Sequence, residues 1–413
     1  MSKLDFTKEY FTMKESDVVE YTKTVLKLFK EDAVLTCKEI GDGNLNYVFR
    51  VVDEKNNKSI IIKQAGPVAR ISDEFKLSPD RNRIESEILK LQHSLAKGLV
   101  PEVYHYDPIM NCCVMEDLSD HTILRTALLQ HRKFPMLVDH ITTYMVNTLL
   151  LTSDIVMCHK GKKALVKSFI NPELCEISED LVYTEPFFNC QRNDIFEPTK
   201  AVAQELLWND KKFILETAKL KFEFMTNSQC LIHGDLHSGS IFVKENSTKV
   251  IDPEFAFYGP AGYDVGNVVA HFIFALINAE ATMEEGAEKD NYISWIKESI
   301  LNTVDMFKEK FNKAYDENVT ERVAKYEGFK EYYLNNILRD TAAVTGLELC
   351  RRILGIAHVK DITTIKDIEK RAVAEKFCLT FGKEVVMNRE NMIDGKNYLE
   401  LIEHCKKLGG TLC

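Results

Sequence analysis

The sequence predicts an α+β fold in which a small antiparallel sheet with one principal helix precedes a larger, mostly helical region. Two observations lead to this prediction. Up to about residue 116, short β-rich runs alternate with turn residues around a single clearly periodic helix. Beyond that point the segments are long and helical, apart from a strand-rich stretch at 230–257. We therefore expect an N-terminal lobe at 1–116 and a C-terminal lobe at 117–413.

The elements of the first lobe follow from local composition. Its helix is predicted at 83–95, where Ile84, Ile88, Leu91 and Leu95 recur at helical spacing. The predicted strands are β-rich runs bounded by turn residues, and they cover 35–40, 47–52, 59–63, 102–106 and 112–115.

The second lobe contains most of the helices. They are predicted from apolar periodicity and length, and they cover 140–153, 200–208, 213–225, 292–310, 329–356 and 365–387.

Composition narrows the class of protein. With 45% hydrophobic and 28% charged residues the chain resembles an ordered globular protein. A net charge of -10 opposes non-specific nucleic-acid binding, although a nucleotide needs only a local positive site. The 11 cysteines do not show the spacing of metal-binding motifs. Their scattered positions are typical of reduced thiols. The apolar run 268–277 is too short to span a bilayer, and the N-terminus lacks a signal-peptide core. We expect a cytoplasmic protein with no nucleic-acid or membrane partner.

The strongest motif is His233-Gly234-Asp235-Leu236-His237, followed by Asp252-Pro253-Glu254. Each cluster places a carboxylate just after a short apolar run. Phosphoryl transfer needs one such group to orient the attacking hydroxyl and accept its proton, and another to hold Mg²⁺ on the phosphates. Asp235 suits the first role and Asp252 the second, and Glu254 could reach the same metal. The alternative is that both clusters are plain turns.

Two weaker signals lie in the first lobe. Gly41 and Gly43 form a turn between two strands, which could admit phosphate oxygens or be an ordinary hairpin. Lys63 closes a β-branched run and could bind phosphates while pairing with a helix glutamate. Glu85 is preferred to Glu87 as that partner, although a solvated lysine is the alternative.

The remaining signals are a possible hinge and an arginine pair. Residues Glu116, Asp117 and Leu118 end a predicted strand where the lobes would join, and they could form either a hinge that reads an adenine edge or a polar turn. Arg351 and Arg352 are adjacent on an apolar helix, so at least one guanidinium should need a buried anion or acceptor. This guanidinium could bind a substrate and the transferring phosphoryl group, or it could form an ion pair with Glu348 or Asp340.

These motifs resemble those of the 5-methylthioribose kinases, a family within the protein-kinase-like superfamily of choline and aminoglycoside kinases. The similarity runs from about residue 35 to about residue 375. The segments that carry it begin at Gly41, Lys63, Met115, Asn171, His233, Asp252 and Arg351. The run Asp252-Pro253-Glu254-Phe255-Ala256-Phe257-Tyr258-Gly259-Pro260 and the arginine pair are the most specific of them.

The resemblance implies a two-lobed fold and transfer of the ATP γ-phosphoryl group to the C1 hydroxyl of 5-methylthioribose, in methionine salvage. It implies that Asp235 is the catalytic residue and that Arg351 and Arg352 bind the substrate with it. Residues implied to contact ATP are Asn44, Lys63, Glu116, Asp117, Leu118, Asp252, Pro253 and Glu254, with Mg²⁺ on Asp252 and Glu254. Supporting residues are Gly41, Gly43, Glu85, His233, His237 and Ser240. The family is similar in forming homodimers.

Two departures from protein kinases matter. Ser240 stands where those enzymes have a metal-binding asparagine, which places a second Mg²⁺ in doubt. Asp252-Pro253-Glu254 replaces Asp-Phe-Gly, so the phenylalanine switch is missing.

Three other functions compete with this interpretation. A choline, homoserine or aminoglycoside kinase is the first, but the arginine pair opposes a cationic substrate. A protein kinase would need His-Arg-Asp and Ala-Pro-Glu, which are missing. A non-catalytic binding module is opposed by the presence of Lys63, Asp235 and Asp252.

Overall fold

The computed structural model describes residues 5–40, 46–66 and 80–409. The chain divides into two compact units. The first comprises Met1–His121 with Ile251–Ala256, and the second comprises Thr122–Val250 with Phe257–Cys413. The first unit thus ends slightly beyond residue 116, and it includes a short segment that sequence analysis placed in the second lobe.

The first unit is built on an antiparallel five-stranded sheet of order β1-β2-β3-β5-β4. Its strands are β1 (Leu35–Glu39), β2 (Asn46–Asp53), β3 (Lys58–Ala65), β4 (Val103–Asp107) and β5 (Cys112–Glu116). Two helices accompany the sheet, α1 (Glu15–Tyr21), which continues into a π-helical turn, and α2 (Asp80–Leu95).

One face of this sheet forms the core of the first unit. Phe49 and Val51 alternate along β2, and Ile60 and Ile62 alternate along β3, all buried on the same side. Helix α1 closes this core with Val18 and Tyr21. Each such side chain contributes roughly 1.5–3 kcal/mol by leaving water, so this cluster holds the strand that carries Lys63.

The second unit is mainly helical. Its helices are α3 (Leu124–Leu129), α4 (Leu137–Leu151), α5 (His159–Ser168), α6 (Pro172–Leu181), α7 (Glu197–Ala203), α8 (Lys211–Thr226), α9 (Gly262–Thr282), α10 (Ala287–Asn318), α11 (Phe329–Leu354), α12 (Lys360–Thr363), α13 (Ile368–Met387) and α14 (Gly395–Gly409). Short strands are β6 (Thr122–Ile123), β7 (Cys230–Ile232), β8 (Ile241–Lys244), β9 (Ser247–Val250) and β10 (Phe257–Gly259). The predicted α+β class, with a sheet-rich N-terminal lobe and a mostly helical C-terminal lobe, is confirmed.

Helices α9, α11 and α13 pack closely because glycines lie at their contacts. A Cβ on Gly266 of α9 would lie 2.6 Å from the Thr341 carbonyl oxygen of α11. A Cβ on Gly346 of α11 would lie 2.4 Å from the Gly382 carbonyl oxygen of α13. Larger residues at either position would push the helices apart. This packing fixes α11, which carries Arg351 and Arg352.

Helix α9 is long and apolar enough to cross a membrane by those two criteria alone, within the part of the chain that the structure describes. Its most apolar window is 94% buried inside the protein. A helix that is hydrophobic on all sides is also what the centre of a large helical core requires. Burial is why α9 lacks the one-sided periodicity that identifies surface helices.

Candidate active site

The two sets of predicted site residues lie in different units. In the first unit, Lys63 at the end of β3 forms an ion pair with Glu85 of α2, with Nζ 2.9 Å from the carboxylate. Lys63 also contacts Asp252 through a short ion pair. Glu87 instead pairs with Arg83 at 2.8 Å. The lysine side chain is therefore held between two carboxylates.

The loop after β9 has an unusual backbone at Asp252, whose φ is +68°. Aspartate tolerates this left-handed conformation better than most residues, and such conformations concentrate at functional sites. Pro253 and Glu254 follow as buried residues. The turn brings Asp252 and Glu254 to the same place as Glu85, with one carboxylate oxygen from each within 4.8 Å of the others.

Electrostatics in this cluster favour an added cation. Burial lowers the pKa of Lys63, but Asp252, Glu85 and Glu254 outweigh it and hold that pKa well above its usual value. Burial raises the pKa of Glu85 and of Glu254. Lys63 and Arg81 thus place two positive charges against three carboxylates. Oxygen ligands that converge with surplus negative charge fit Mg²⁺, so these residues suit the ion that the family resemblance implies.

Two residues that sequence analysis did not select complete this cluster. Asn46, the first residue of β2, donates from Nδ2 to Glu254 at 3.1 Å and accepts from Arg81 at 3.1 Å. Arg81 Nε lies 3.8 Å from Glu254. Asn46 is polar in a strand whose neighbours are apolar, which was the available signal. The predicted contacts Gly41, Gly43 and Asn44 lie outside the described residues.

The predicted hinge residues follow β5. Asp117 accepts hydrogen bonds from Nε of Arg50 at 2.6 Å and from the Ser119 amide at 2.9 Å. The Glu116 amide donates to the Glu102 carbonyl at 2.9 Å, and Leu118 is buried. These contacts shape the turn through side chains and leave its role in adenine binding a prediction.

In the second unit, the loop between β7 and β8 carries Asp235. Asp264 in the first turn of α9 accepts hydrogen bonds from the amides of His233 at 2.7 Å and Gly234 at 3.0 Å. His233 is buried, and its Nδ1 accepts from the Asp235 amide at 3.2 Å. The loop is therefore anchored by the buried carboxylate of Asp264, which sequence analysis missed.

His237 lies beside the carboxylate of Asp235. Its Nδ1 accepts a hydrogen bond from the Gly239 amide at 3.0 Å, so the proton of the neutral ring is on Nε2. That nitrogen lies 3.3 Å from Asp235 Oδ2. Burial, with Arg352 and Arg125 adding to it, lowers the pKa of His237 to about 3 despite the charge of Asp235. The ring is uncharged at neutral pH.

The arginine pair reaches Asp235 from α11. Nη2 of Arg351 and Nη2 of Arg352 each lie 3.8 Å from Asp235 Oδ1. Both Nε atoms are bonded to the buried carboxylate of Glu348, that of Arg352 at 2.7 Å. Asp340, the other proposed partner, pairs with Arg339 instead. The ion-pair alternative with Glu348 is thus observed, and binding of a substrate by the arginine pair stays a prediction.

Asp235 is suited to act as a base. Burial raises its pKa, but His237, Arg352 and Arg351 lower it by more, so the pKa lies below its usual value. With His237 neutral, the two guanidiniums are the cations that keep this carboxylate ionised at neutral pH. About 28% of the Asp235 side chain is exposed, which leaves it open to a ligand.

Ser240 holds the loop in shape. Its hydroxyl lies 3.0 Å from the carbonyl oxygen of Asp235 and 3.2 Å from Nδ1 of His237. The residue is buried. Both contacts of this hydroxyl are made within the loop, which agrees with the doubt about a second metal ion at this position.

Arg125 of α3 adds a positive charge that sequence analysis did not find. Its amide donates to the Ser238 carbonyl at 2.9 Å, which joins α3 to the Asp235 loop. Nε and Nη2 of Arg125 are enclosed and have no hydrogen-bond partner among the described residues. Burial, and then the charge of Arg352, lower its pKa. Nothing in its local sequence distinguishes it from a surface arginine.

Comparison with known proteins identifies the family. Residues 185–292 match the model of a phosphotransferase enzyme family. A methylthioribose kinase of Geobacillus sp. (strain WCH70) is 43% identical over 377 residues, which is 91% of this chain and 92% of that protein. A methylthioribose kinase of Bacillus cereus is 39% identical over 406 residues, covering 97% and 99% of the two chains.

Solved structures give weaker similarity. A choline kinase from Cryptosporidium parvum is 14% identical with a TM-score of 0.47, covering 96% of this chain and 97% of that one. A glucosamine kinase is 12% identical with a TM-score of 0.47, covering 89% and 85%. The sequence relatives are decisive, and the chain belongs to the methylthioribose kinase family.

Proposed function

We propose that this chain transfers the γ-phosphoryl group of ATP to the C1 hydroxyl of 5-methylthioribose, forming 5-methylthioribose 1-phosphate and ADP. The observation that carries the proposal is the ionised carboxylate of Asp235 with two guanidinium groups 3.8 Å from one of its oxygens. Sequence relatives named methylthioribose kinase, matched over more than nine-tenths of this chain, support the choice of sugar.

In this mechanism Asp235 orients the C1 hydroxyl and accepts its proton as the oxygen attacks phosphorus. Its depressed pKa keeps it ionised, and its Oδ1 lies on the side of Arg351 and Arg352. A positioned base of this kind contributes on the order of 10²–10⁴ in rate.

Arg351 and Arg352 stabilise charge that develops during transfer. The transferring phosphoryl group carries negative charge on its equatorial oxygens, and fixed guanidinium donors lower its energy without reorganising. The same donors can bind ring hydroxyls of a neutral sugar. Both arginines are nearly buried, so water competes little for their hydrogen bonds.

On the nucleotide side, Lys63 neutralises phosphate oxygens and Glu85 holds the lysine in place. Asp252 and Glu254 would hold Mg²⁺, with Asn46 orienting Glu254. An ion held by these carboxylates would supply positive charge to offset that of the phosphates. The two carboxylates therefore serve the cofactor, whereas Asp235 serves the acceptor hydroxyl.

A kinase for a cationic alcohol such as choline is the main rival function. Two guanidiniums beside the base would repel an ammonium group in a partly dry site. A homoserine or aminoglycoside substrate carries an amine and meets the same difficulty. A non-catalytic binding module has no need of Asp235 beside Arg351 and Arg352.

We also propose a cellular compartment and an oligomeric state for this protein. The cysteines that the structure describes are all free thiols, which supports a reducing compartment such as the cytoplasm. The family resemblance supports a homodimer.

The direct test is product analysis. Purified protein would be incubated with Mg²⁺, ATP and 5-methylthioribose, and ADP release would be followed together with phosphorus NMR of the product. We expect one equivalent of ADP for each sugar phosphate, with phosphorus coupled to the anomeric proton. Coupling to a different ring proton would reject the C1 assignment, and the lack of sugar-dependent ADP release would reject the proposed function.

A further inference from the structure

Adjacent arginines on a helix normally diverge. Successive side chains of an α-helix point about 100° apart, so Arg351 and Arg352 should serve different surroundings. In this structure both Nη2 atoms nevertheless lie 3.8 Å from the same oxygen of Asp235. Something must turn the two side chains towards one point.

Glu348 supplies that constraint. It lies three residues before Arg351 and four before Arg352, which places it on the same face of α11 as both. Oε1 accepts from Nε of Arg352 at 2.7 Å, and Oε2 accepts from Nε of Arg351. Because Nε is fixed on each arginine, the outer nitrogens are directed to Asp235. Only about 1% of the Glu348 side chain is exposed, so solvent cannot replace it.

A second connection runs from Glu348 to the Asp235 loop. Nε2 of His271, on α9, lies 3.2 Å from Oε1 of Glu348, and Nδ1 lies 3.0 Å from the Ser238 hydroxyl. An ionised carboxylate can only accept, so Nε2 carries the ring proton. Nδ1 then accepts from Ser238. One hydrogen-bonded chain thus joins the loop of the base to the helix of the arginines.

We propose that Glu348 is the positioning residue of this site, aligning Arg351 and Arg352 on the acceptor oxygen of Asp235, with His271 fixing Glu348 relative to the Asp235 loop. The proposal rests on the proposed kinase function and deepens it. The competing explanation is that Glu348 only neutralises buried arginine charge. The two explanations differ in whether the length of the side chain matters or only its charge.

Two substitutions separate these explanations. Glu348→Asp keeps the negative charge but is one methylene too short to reach both Nε atoms, whereas Glu348→Gln keeps the length and removes the charge. Positioning predicts that Glu348→Asp lowers kcat/KM for the sugar at least about 10-fold, with KM for ATP within about twofold of wild type. Wild-type sugar kinetics in Glu348→Asp would overturn the proposal.

Glu375→Gln is the matched control. Glu375 is also a buried carboxylate of the second unit, and it bonds to Thr199 at 2.6 Å and Arg371 at 2.8 Å. We expect this variant to change sugar kinetics by less than about twofold. If it lowered kcat/KM as much as Glu348→Asp, a general effect of buried carboxylates would replace the proposal.

A double-mutant cycle tests whether Glu348 acts through an arginine. Arg352→Lys keeps a positive charge but removes the Nε–H that Glu348 binds. In that background Glu348→Asp should cost at least about threefold less in kcat/KM than it costs in wild type. Fully multiplicative effects would show that Glu348 acts independently of Arg352 and would reject the proposal.

Failure of the Glu348 proposal can be distinguished from failure of the proposed function. Wild-type protein is first assayed with 5-methylthioribose and with other alcohols. If only another alcohol is phosphorylated, the sugar assignment fails, and the Glu348 experiments are run on that alcohol with the same criteria.

Discussion

Nε2 of His237 lies 3.3 Å from Oδ2 of Asp235, whereas Nη2 of Arg351 lies 3.8 Å from Oδ1 of the same carboxylate. The His237 ring accepts a hydrogen bond from the Gly239 amide. The two oxygens of the base therefore have different neighbours, a histidine ring at one and the arginine pair at the other. The consequences for catalysis can be measured one residue at a time.

Substitution of the base should affect turnover and leave nucleotide binding intact. Asp235→Asn removes the proton acceptor but nearly preserves size, so we expect kcat to fall at least about 100-fold. ATP affinity measured by calorimetry should stay close to wild type. Asp316→Asn is a suitable control because that exposed carboxylate pairs with a surface lysine, Lys330. Near-normal turnover in Asp235→Asn would refute the assignment.

Loss of one arginine should reduce use of the sugar. Arg351→Ala removes a donor beside Asp235 and one partner of buried Glu348, so we expect lower kcat/KM for the sugar and a stability loss of about 1.5–3 kcal/mol. Steady-state kinetics and thermal unfolding measure the two effects. Unchanged sugar kinetics together with lower stability would mean that Arg351 is purely structural.

The carboxylate cluster should depend on the metal. Asp252→Asn keeps a residue that tolerates positive φ but removes one of the three converging carboxylates. We expect Mg²⁺ with a non-hydrolysable ATP analogue to raise Tm in wild type and to raise it by less than about half as much in the variant. Asp32→Asn, which alters an exposed pair with Lys55 in the same unit, should retain the full shift. Equal shifts in all three proteins would remove Asp252 from the metal site.

Asp361 should make stability depend on pH. Burial raises its pKa from 3.8 to about 6, against the opposing charges of Arg125 and Arg352. Because the folded pKa is the higher one, the folded state gains protons first. The contribution is complete below about pH 4 and disappears as pH rises through about 6. Between pH 7 and pH 5 wild type should therefore gain about 1–1.5 kcal/mol relative to Asp361→Asn. Tm measured against pH checks this, and parallel curves for the two proteins would contradict it.

Much of the fold follows from local sequence. All five strands of the first unit and helix α2 were predicted within a few residues because their apolar alternation and helical spacing are local properties. Helix α1 was missed because its seven residues are too few for periodicity to be recognised. Helix α9 was missed because nearly every one of its residues is buried, so no polar face marks it.

The site residues that belong to recognisable motifs could be predicted from the sequence. Lys63, Asp235, Asp252, Glu254 and the arginine pair stand out by residue type and spacing. The contacts that arrange them depend on tertiary structure. Nothing local shows that Asp264 anchors the Asp235 loop, or that Glu348 turns two diverging arginines to one oxygen. Those relationships require the packing of α9 against α11.

Substrate selection by the wild-type protein tests the role of this site most directly. A carboxylate base flanked by two guanidiniums should accept a neutral sugar and reject a cationic alcohol. The measurement is kcat/KM for 5-methylthioribose and for choline at saturating Mg²⁺ and ATP. We predict a preference for the sugar of at least about 10³-fold, in the range reached when a site hydrogen-bonds its substrate. Equal or better use of choline would contradict the account.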